Sequence, residues 1–168
     1  MQRNVVFEIP DQIAAMNNKS ELRKARVTTF CIDPDNGVPD DQLTSMLMVL
    51  GIQFNPGKDA EIYREQLHQW AFATDKNTEE VERRMQKKDP DFDMLLTIGR
   101  ASQLGIISYH VNQKAWYWKQ EGGALGRQIV QVPPSLDRRK FFVDYLRKEE
   151  DVHSQIVQSI KTLEEPVA

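Results

Sequence analysis

Cysteine is almost absent from this sequence, since Cys31 is the one cysteine among 168 residues. A disulfide within the chain is therefore impossible, and a zinc site that depends on several thiolates is disfavoured. Cys31 lies in the apolar run Val27–Ile32. We therefore interpret it as a small buried hydrophobic residue and not as a reactive thiol.

Long apolar runs are missing as well. No stretch approaches the roughly 20 apolar residues that a membrane-spanning helix needs. The first ten residues lack the basic segment and the long apolar core of a secretory signal peptide. We therefore expect no membrane partner and an intracellular location, in a cell or in an infected cell.

Excess charge of one sign is also lacking. The 22 lysines and arginines nearly balance the 25 acidic residues, and the formal net charge is -3. This balance argues against strong attraction of the whole molecule to nucleic acid, but it allows a local basic face. The length suffices for one hydrophobic core, and the 40% hydrophobic and 28% charged residues are typical of globular proteins. We predict a single domain over residues 1–168.

Motifs for catalysis, cofactors and metals are absent from the sequence. The three histidines, His68, His110 and His153, fall in separate elements without metal-ligand spacing. Gly122 and Gly123 resemble half of a phosphate-binding loop, but no Lys-Ser or Lys-Thr pair and no helix follows them. No nucleophile motif occurs. We therefore predict no catalytic residue, no metal and no cofactor, and we expect that the protein is not an enzyme.

Four acids lie close together in the sequence, as the ligands of a cation site do: Asp33, Asp35, Asp40 and Asp41. A calcium loop that began at Asp33 would need glutamate at its twelfth position, which is Thr44. We interpret these acids as turn and helix-cap residues.

The stretch Phe92–Val132 is the centre of the predicted fold. It reads as a helix and three short strands with turn residues between them: Phe92–Leu104, ended by Gly105, then Ile106–Val111, Ala115–Gln120 and Gly126–Val132. This pattern predicts the α+β class, with several amphipathic helices around a small antiparallel sheet.

Further elements are predicted on both sides of this stretch. Apolar spacing and cap residues predict helices over Pro39–Leu50, Asp59–Ala73 and Asn77–Lys88. The last has Asn77 as its cap and is expected to be exposed apart from Val81 and Met85. Alternating or β-branched residues predict strands at Val5–Ile9 and Arg26–Ile32. A helical region over about 135–164, capped by Ser135, forms one long helix or two short ones and packs on the core or extends to a partner.

A helix followed by a strand–loop–strand is the order of a winged-helix module. The basic and aromatic residues that would contact nucleic acid in this alternative are Lys114, Trp116, Trp118, Lys119 and Arg127. Basic residues contact phosphates, and exposed aromatic rings stack on bases. However, the helix 92–104 has one basic residue, and Trp116 and Trp118 also fit a hydrophobic core.

An apolar stripe near the end of the chain indicates a protein partner. Val152, Ile156, Ile160 and Leu163 recur about one helical turn apart. Such a stripe either packs on the core of its own chain or binds another chain, in an oligomer or a larger assembly.

The C-terminal half resembles accessory and virion proteins of large tailed bacteriophages. The likeness rests on the segments LLTIGRASQLGII, AWYW, LGRQIVQVP and FFVDYLRKEEDVHSQIVQSI, in which an aromatic strand and a Gly-bearing turn precede a charged amphipathic helix. The resemblance implies a non-enzymatic structural or interaction component of a virion or its assembly, located in the host cytoplasm or the virion. A winged-helix-like nucleic-acid-binding protein is the alternative.

Overall fold

The structure is a computed structural model that describes residues 18–86 and 88–164. The chain forms two compact units, and each is described by itself. Of the described residues, unit 1 comprises 18–43 and 57–86, and unit 2 comprises 44–56 and 88–164. The predicted strand Val5–Ile9 lies outside the described residues. The single domain over 1–168 stays a prediction.

Seven helices and one three-stranded antiparallel sheet make up the described chain, which confirms the α+β class. The first helix, α1, covers residues 18–32. The others are α2 (Leu43–Leu50), α3 (Ala60–Ala71), α4 (Asp75–Arg84), α5 (Phe92–Gln103), α6 (Arg138–Lys148) and α7 (Glu150–Glu164). The strands are β1 (Ile107–His110), β2 (Ala115–Lys119) and β3 (Leu125–Gln131).

Helix α1 shows that the predicted strand Arg26–Ile32 is wrong. The β-branched residues there continue a helix whose earlier residues favour helix, and residues 18–33 contain no Gly or Pro. Val27 and Cys31 lie four residues apart, and both are fully buried. Arg64 donates hydrogen bonds to the carbonyls of Cys31 (3.3 Å) and Val38 (2.8 Å). Tertiary contacts thus override β propensity in this segment.

Helix α4 begins two residues earlier than predicted and has a different cap. The hydroxyl of Thr74 accepts a hydrogen bond from the amide of Asn77 at 3.1 Å, so Thr74 is the cap and not Asn77. Thr78, Val81 and Arg84 are buried. The predicted burial of Val81 is therefore confirmed, whereas the expectation that Thr78 and Arg84 are exposed is wrong.

Glycine ends two helices of unit 2, as the sequence predicts. At the end of α5, the amide of Ile106 donates to the carbonyl of Ala101 (2.8 Å), and that of Gly105 donates to Ser102 (3.2 Å). Gly105 has a φ of 75°, a conformation that costs glycine little. Gly51 ends α2 with the same hydrogen-bond pattern: its amide donates to the carbonyl of Met48 (3.1 Å), and that of Ile52 donates to Leu47 (2.9 Å).

The three strands form the predicted meander. Their order is β1-β2-β3, and Tyr109 pairs with Trp116 while Ala115 pairs with Gln131. The strand bounds agree with the prediction to within one or two residues. The register places Trp116 and Trp118 on one face of β2, and Tyr117 on the other.

The core of unit 2 lies between this sheet and the helices α5, α6 and α7. Its buried members are Val49, Leu95, Ile98, Ala101, Ile106, Ile107, Trp116, Val132, Phe142, Val143, Leu146, Ile156 and Ile160. Close helix packing at one point requires glycine, because a Cβ atom on Gly99 of α5 would lie 2.1 Å from the carbonyl oxygen of Met48 in α2. The backbones of the two helices are in direct contact there.

The C-terminal region forms two helices, α6 and α7, and not the one long helix that the sequence also allowed. The break is at Glu149, where φ is -102° and ψ is 77°. The side chain of Asp137 caps α6 by accepting from the amides of Arg139 (3.0 Å) and Lys140 (2.9 Å). Asp137, and not Ser135, is therefore the cap.

Candidate functional site

An open groove runs between the sheet and α7 in unit 2. Its volume is about 820 Å³. Trp118 of β2 and Leu163 of α7 supply apolar wall, and Arg127 of β3 supplies the one formal charge. Four polar residues of α7 complete the wall: Gln155, Gln158, Ser159 and Thr162. We call this surface the β3–α7 groove.

The strand and helix patterns explain how these side chains come together. Trp118 lies two residues from the buried Trp116, so it points to the same face of the sheet, and it is half-buried against the core. Leu163 is in the last turn of α7 and is 58% exposed. An ion pair of 3.4 Å between Arg100 and Glu164 holds this end of α7 on α5. The apolar surface of the groove is therefore presented by packed elements.

Strand β3 borders the groove and is an edge strand. Among the described residues it pairs with β2 alone, so the backbone groups along its other side are available to a further strand. Tyr145 covers part of that side, since its hydroxyl donates to the carbonyl of Ile129 at 3.4 Å. Residues 125–128, which include the exposed Arg127, form the more open part.

The residues of the nucleic-acid alternative do not share one surface. Trp116 is only 4% exposed and stacks on Phe142, so its ring faces are not accessible to bases. Lys114, in the β1–β2 turn, and Lys119 lie at opposite ends of β2. Only Trp118 and Arg127 meet, in the β3–α7 groove.

The helix that would enter a DNA groove in this alternative is largely packed away. Leu95, Ile98, Gly99 and Ala101 of α5 are buried. The order of α5 followed by the three-stranded meander is as expected. However, α5 is not an exposed helix of the kind that a winged-helix protein inserts into a DNA groove.

The predicted partner stripe is divided by the structure. Ile156 is fully buried and Ile160 is 7% exposed, and both belong to the core of unit 2. Val152 is half-buried and packs against the same core. Leu163 alone of the four is exposed, and it lines the groove.

Groups with redox or metal chemistry offer no competing site in the described residues. Cys31 is fully buried, and burial raises the pKa of its thiol to about 12. Hydrogen bonds lower the pKa of Asp33, chiefly the one from the side chain of Asn36, followed by backbone amides. Within the described ranges, no three His, Cys, Asp or Glu side chains are grouped so that they could hold a metal ion.

The polar wall of the groove was not identified from the sequence, although a signal was present. Gln155, Gln158, Ser159 and Thr162 follow the spacing i, i+3, i+4, i+7, so they lie on one face of α7. That face neighbours the apolar stripe. The tertiary structure is needed to show which of these α7 residues face the sheet across the groove.

In comparisons with known proteins, the chain matches no protein-family model, no curated protein and no solved structure. Across the described residues, every helix is too short or too polar to cross a membrane.

Proposed function

We propose that the protein is a non-enzymatic interaction component that binds an extended segment of another protein chain in the β3–α7 groove. The groove itself is the observation that carries this proposal. Its volume of about 820 Å³ falls within the range of roughly 300–1,000 Å³ that is common for binding pockets. The exposed Leu163 and the half-buried Trp118 give it apolar surface that gains from being covered.

The shape of the partner segment follows from the edge strand. A segment that lies along residues 125–128 of β3 can exchange backbone hydrogen bonds with this edge, as in β-strand addition. In an added strand, side chains point alternately to the two faces of the sheet. Those on the face of Trp118 enter the groove, so they are expected to be apolar.

The charge of the partner segment follows from Arg127. This residue is exposed and forms no ion pair with any residue that the structure describes. It is the one charged residue of the groove wall. A carboxylate on the partner would form an ion pair with the Arg127 guanidinium and accept two parallel N–H hydrogen bonds from it. The proposed occupant is therefore an extended apolar segment that carries a carboxylate.

The resemblance of the C-terminal half to accessory and virion proteins of large tailed bacteriophages supports the same class of function. In that setting, the occupant would be a neighbouring protein of the particle or of its assembly pathway. The resemblance covers the strands, α6 and α7, and the groove lies within this region.

Titration with a short synthetic peptide tests the proposal. The probe is an apolar, valine-rich peptide with one glutamate at a groove-facing position, and the control peptide has lysine at that position. Because Trp118 lines the groove, its fluorescence should change on binding of the glutamate peptide. The change should be lost in Trp118→Phe, which keeps Trp70 and Trp116.

The affinity of the glutamate peptide should fall about tenfold in Arg127→Gln and also in Leu163→Ser. Lys114→Gln is the matched control, since Lys114 is exposed at the other end of β2, and it should bind normally. Equal binding of the two peptides, or no saturable signal at all, would overturn the proposal. If the protein instead forms concentration-dependent dimers that Leu163→Ser abolishes, the occupant of the groove is a second copy of the chain and not a segment of another protein.

A further inference from the structure

A second cavity in unit 2 is basic and polar. It has a volume of about 310 Å³ and lies between the sheet, α5 and the segment after α2. Three cationic side chains line it, namely Lys119, Arg138 and Arg139. The described residues that line it include no aspartate or glutamate. In a chain of net charge -3, this is a local concentration of positive charge.

Two of the cations have charge available for a ligand. Lys119 and Arg138 form no ion pair with any described residue. Lys119 is half-buried, so its ammonium is partly removed from solvent. The guanidinium carbon of Arg138 lies 4.7 Å from the centre of the Tyr109 ring, and this cation–π contact orients the group, whose N–H groups donate no hydrogen bond to a described residue.

Arg139 holds the wall of the cavity in place. Its guanidinium donates to the carbonyls of Met48 (3.2 Å) and Val49, in the last turn of α2. A cation at a helix C-terminus is stabilised by the helix dipole. Arg139 therefore contributes positive charge at a fixed position, and Gly51 beside it leaves the necessary space, since a Cβ there would lie 3.1 Å from the guanidinium carbon.

Hydroxyl donors complete the lining. Ser102 of α5 and Ser108 of β1 both line the cavity. Neither hydroxyl makes a hydrogen bond to another described residue. Asp137, the acid next to Arg138 in sequence, is not part of the lining and accepts hydrogen bonds from the amides of Arg139 and Lys140.

We propose that this cavity binds a compact phosphorylated small molecule through its phosphate group. Lysine binds phosphate as a point charge and arginine through paired N–H groups, and serine hydroxyls add neutral donors. The cavity volume is at the lower end of the range for small-molecule sites, roughly 300 Å³. It accommodates a phosphate with a small organic part, whereas a nucleic-acid strand needs an open channel.

Isothermal titration with inorganic pyrophosphate at constant ionic strength tests this site. Saturable binding is expected for the wild type, with a dissociation constant about tenfold higher in Lys119→Met and in Arg138→Gln. Lys114→Gln is the matched control, because Lys114 is an exposed cation beside the same sheet that lines neither the cavity nor the β3–α7 groove. Its affinity should stay within about twofold of the wild type. Thermal unfolding of each variant without ligand reports whether it is folded.

Two results would overturn the proposal. Absence of saturable binding, or equal weakening in Lys114→Gln, would show that pyrophosphate responds only to general positive charge. Displacement of pyrophosphate by a short DNA duplex, lost in Lys119→Met, would assign the cavity to a nucleic-acid phosphate and not to a small molecule.

Discussion

The indole ring of Trp116 lies flat against the phenyl ring of Phe142, with ring centroids 4.5 Å apart and ring planes 11° apart. The indole N–H also donates to the carbonyl of Arg138 at 3.1 Å, and Tyr109 meets the ring edge-on at 5.4 Å. One side chain of β2 therefore joins the sheet to α6. This arrangement holds the wall of the basic cavity, which Trp116 and Arg138 both line.

Removal of the Trp116 ring should strongly destabilise unit 2. We expect Trp116→Ala to lower the free energy of unfolding by about 3–5 kcal/mol, because it leaves a cavity in a packed core. Trp116→Phe keeps an aromatic ring but loses the hydrogen bond to Arg138, and about 1–2 kcal/mol is expected. Urea unfolding followed by circular dichroism measures both. Trp118→Phe, at the half-buried neighbour on the same face, is the control, and a loss as large as that of Trp116→Ala would contradict the assignment of Trp116 as the core anchor.

An acid at the start of α5 should make stability depend on pH. Asp91 forms ion pairs with Lys140 (3.0 Å) and Arg147 (2.7 Å). Burial acts to raise the pKa of Asp91, but the hydrogen bonds and charges of these two partners outweigh it and lower the pKa. The folded state therefore gains stability above the unfolded pKa of about 3.9 and loses it as the pH falls through the lower folded value.

Asp91→Asn should accordingly cost roughly 1 kcal/mol near neutral pH and almost nothing in strong acid. Urea unfolding of the variant and of the wild type at several pH values measures this difference. Asp93→Asn is the control, since Asp93 is exposed in the same turn and forms no ion pair with a described residue. A cost of Asp91→Asn that stays constant down to strong acid would rule out these ion pairs as its source.

Two residues of the predicted partner stripe, Ile156 and Leu163, should respond differently to a charge. Ile156→Asp buries a carboxylate in the core of unit 2, and we expect it to cost about 4 kcal/mol or more or to prevent folding. Leu163→Asp places the same group at an exposed position, and a change within about 0.5 kcal/mol is expected. Thermal unfolding of both variants measures this. Similar melting temperatures for the two would show that Ile156 is not a core residue.

Local signals predicted unit 2 well. Gly105 and Gly51 mark helix ends because the left-handed conformation that closes a helix is readily adopted by glycine. The sequence predicts the strands of the meander because Trp116 and its neighbours favour strands and lie between turn residues. These features depend on residues within a few positions of each other, so the sequence shows them directly.

The tertiary structure decided the features that depend on distant residues. Residues 26–32 have β-branched side chains, yet they form a helix because burial of Val27 and Cys31 and the hydrogen bonds of Arg64 stabilise it. The stripe from Val152 to Leu163 has one periodicity, but Ile156 is buried in the core of unit 2 and Leu163 is exposed. Periodicity shows that residues share a face, and only packing shows what that face contacts.

The amino-acid sequence by itself determined the α+β class, the order of most elements in unit 2 and the absence of disulfide chemistry, since each follows from composition or short-range pattern. Only the tertiary structure brought Trp118, Arg127 and Leu163 into one groove, and Lys119, Arg138 and Arg139 into one cavity. The groove residues are up to 45 positions apart, from 118 to 163, and the cavity residues up to 20, from 119 to 139. Their proximity results from how the sheet packs on α6 and α7, and no local pattern records it.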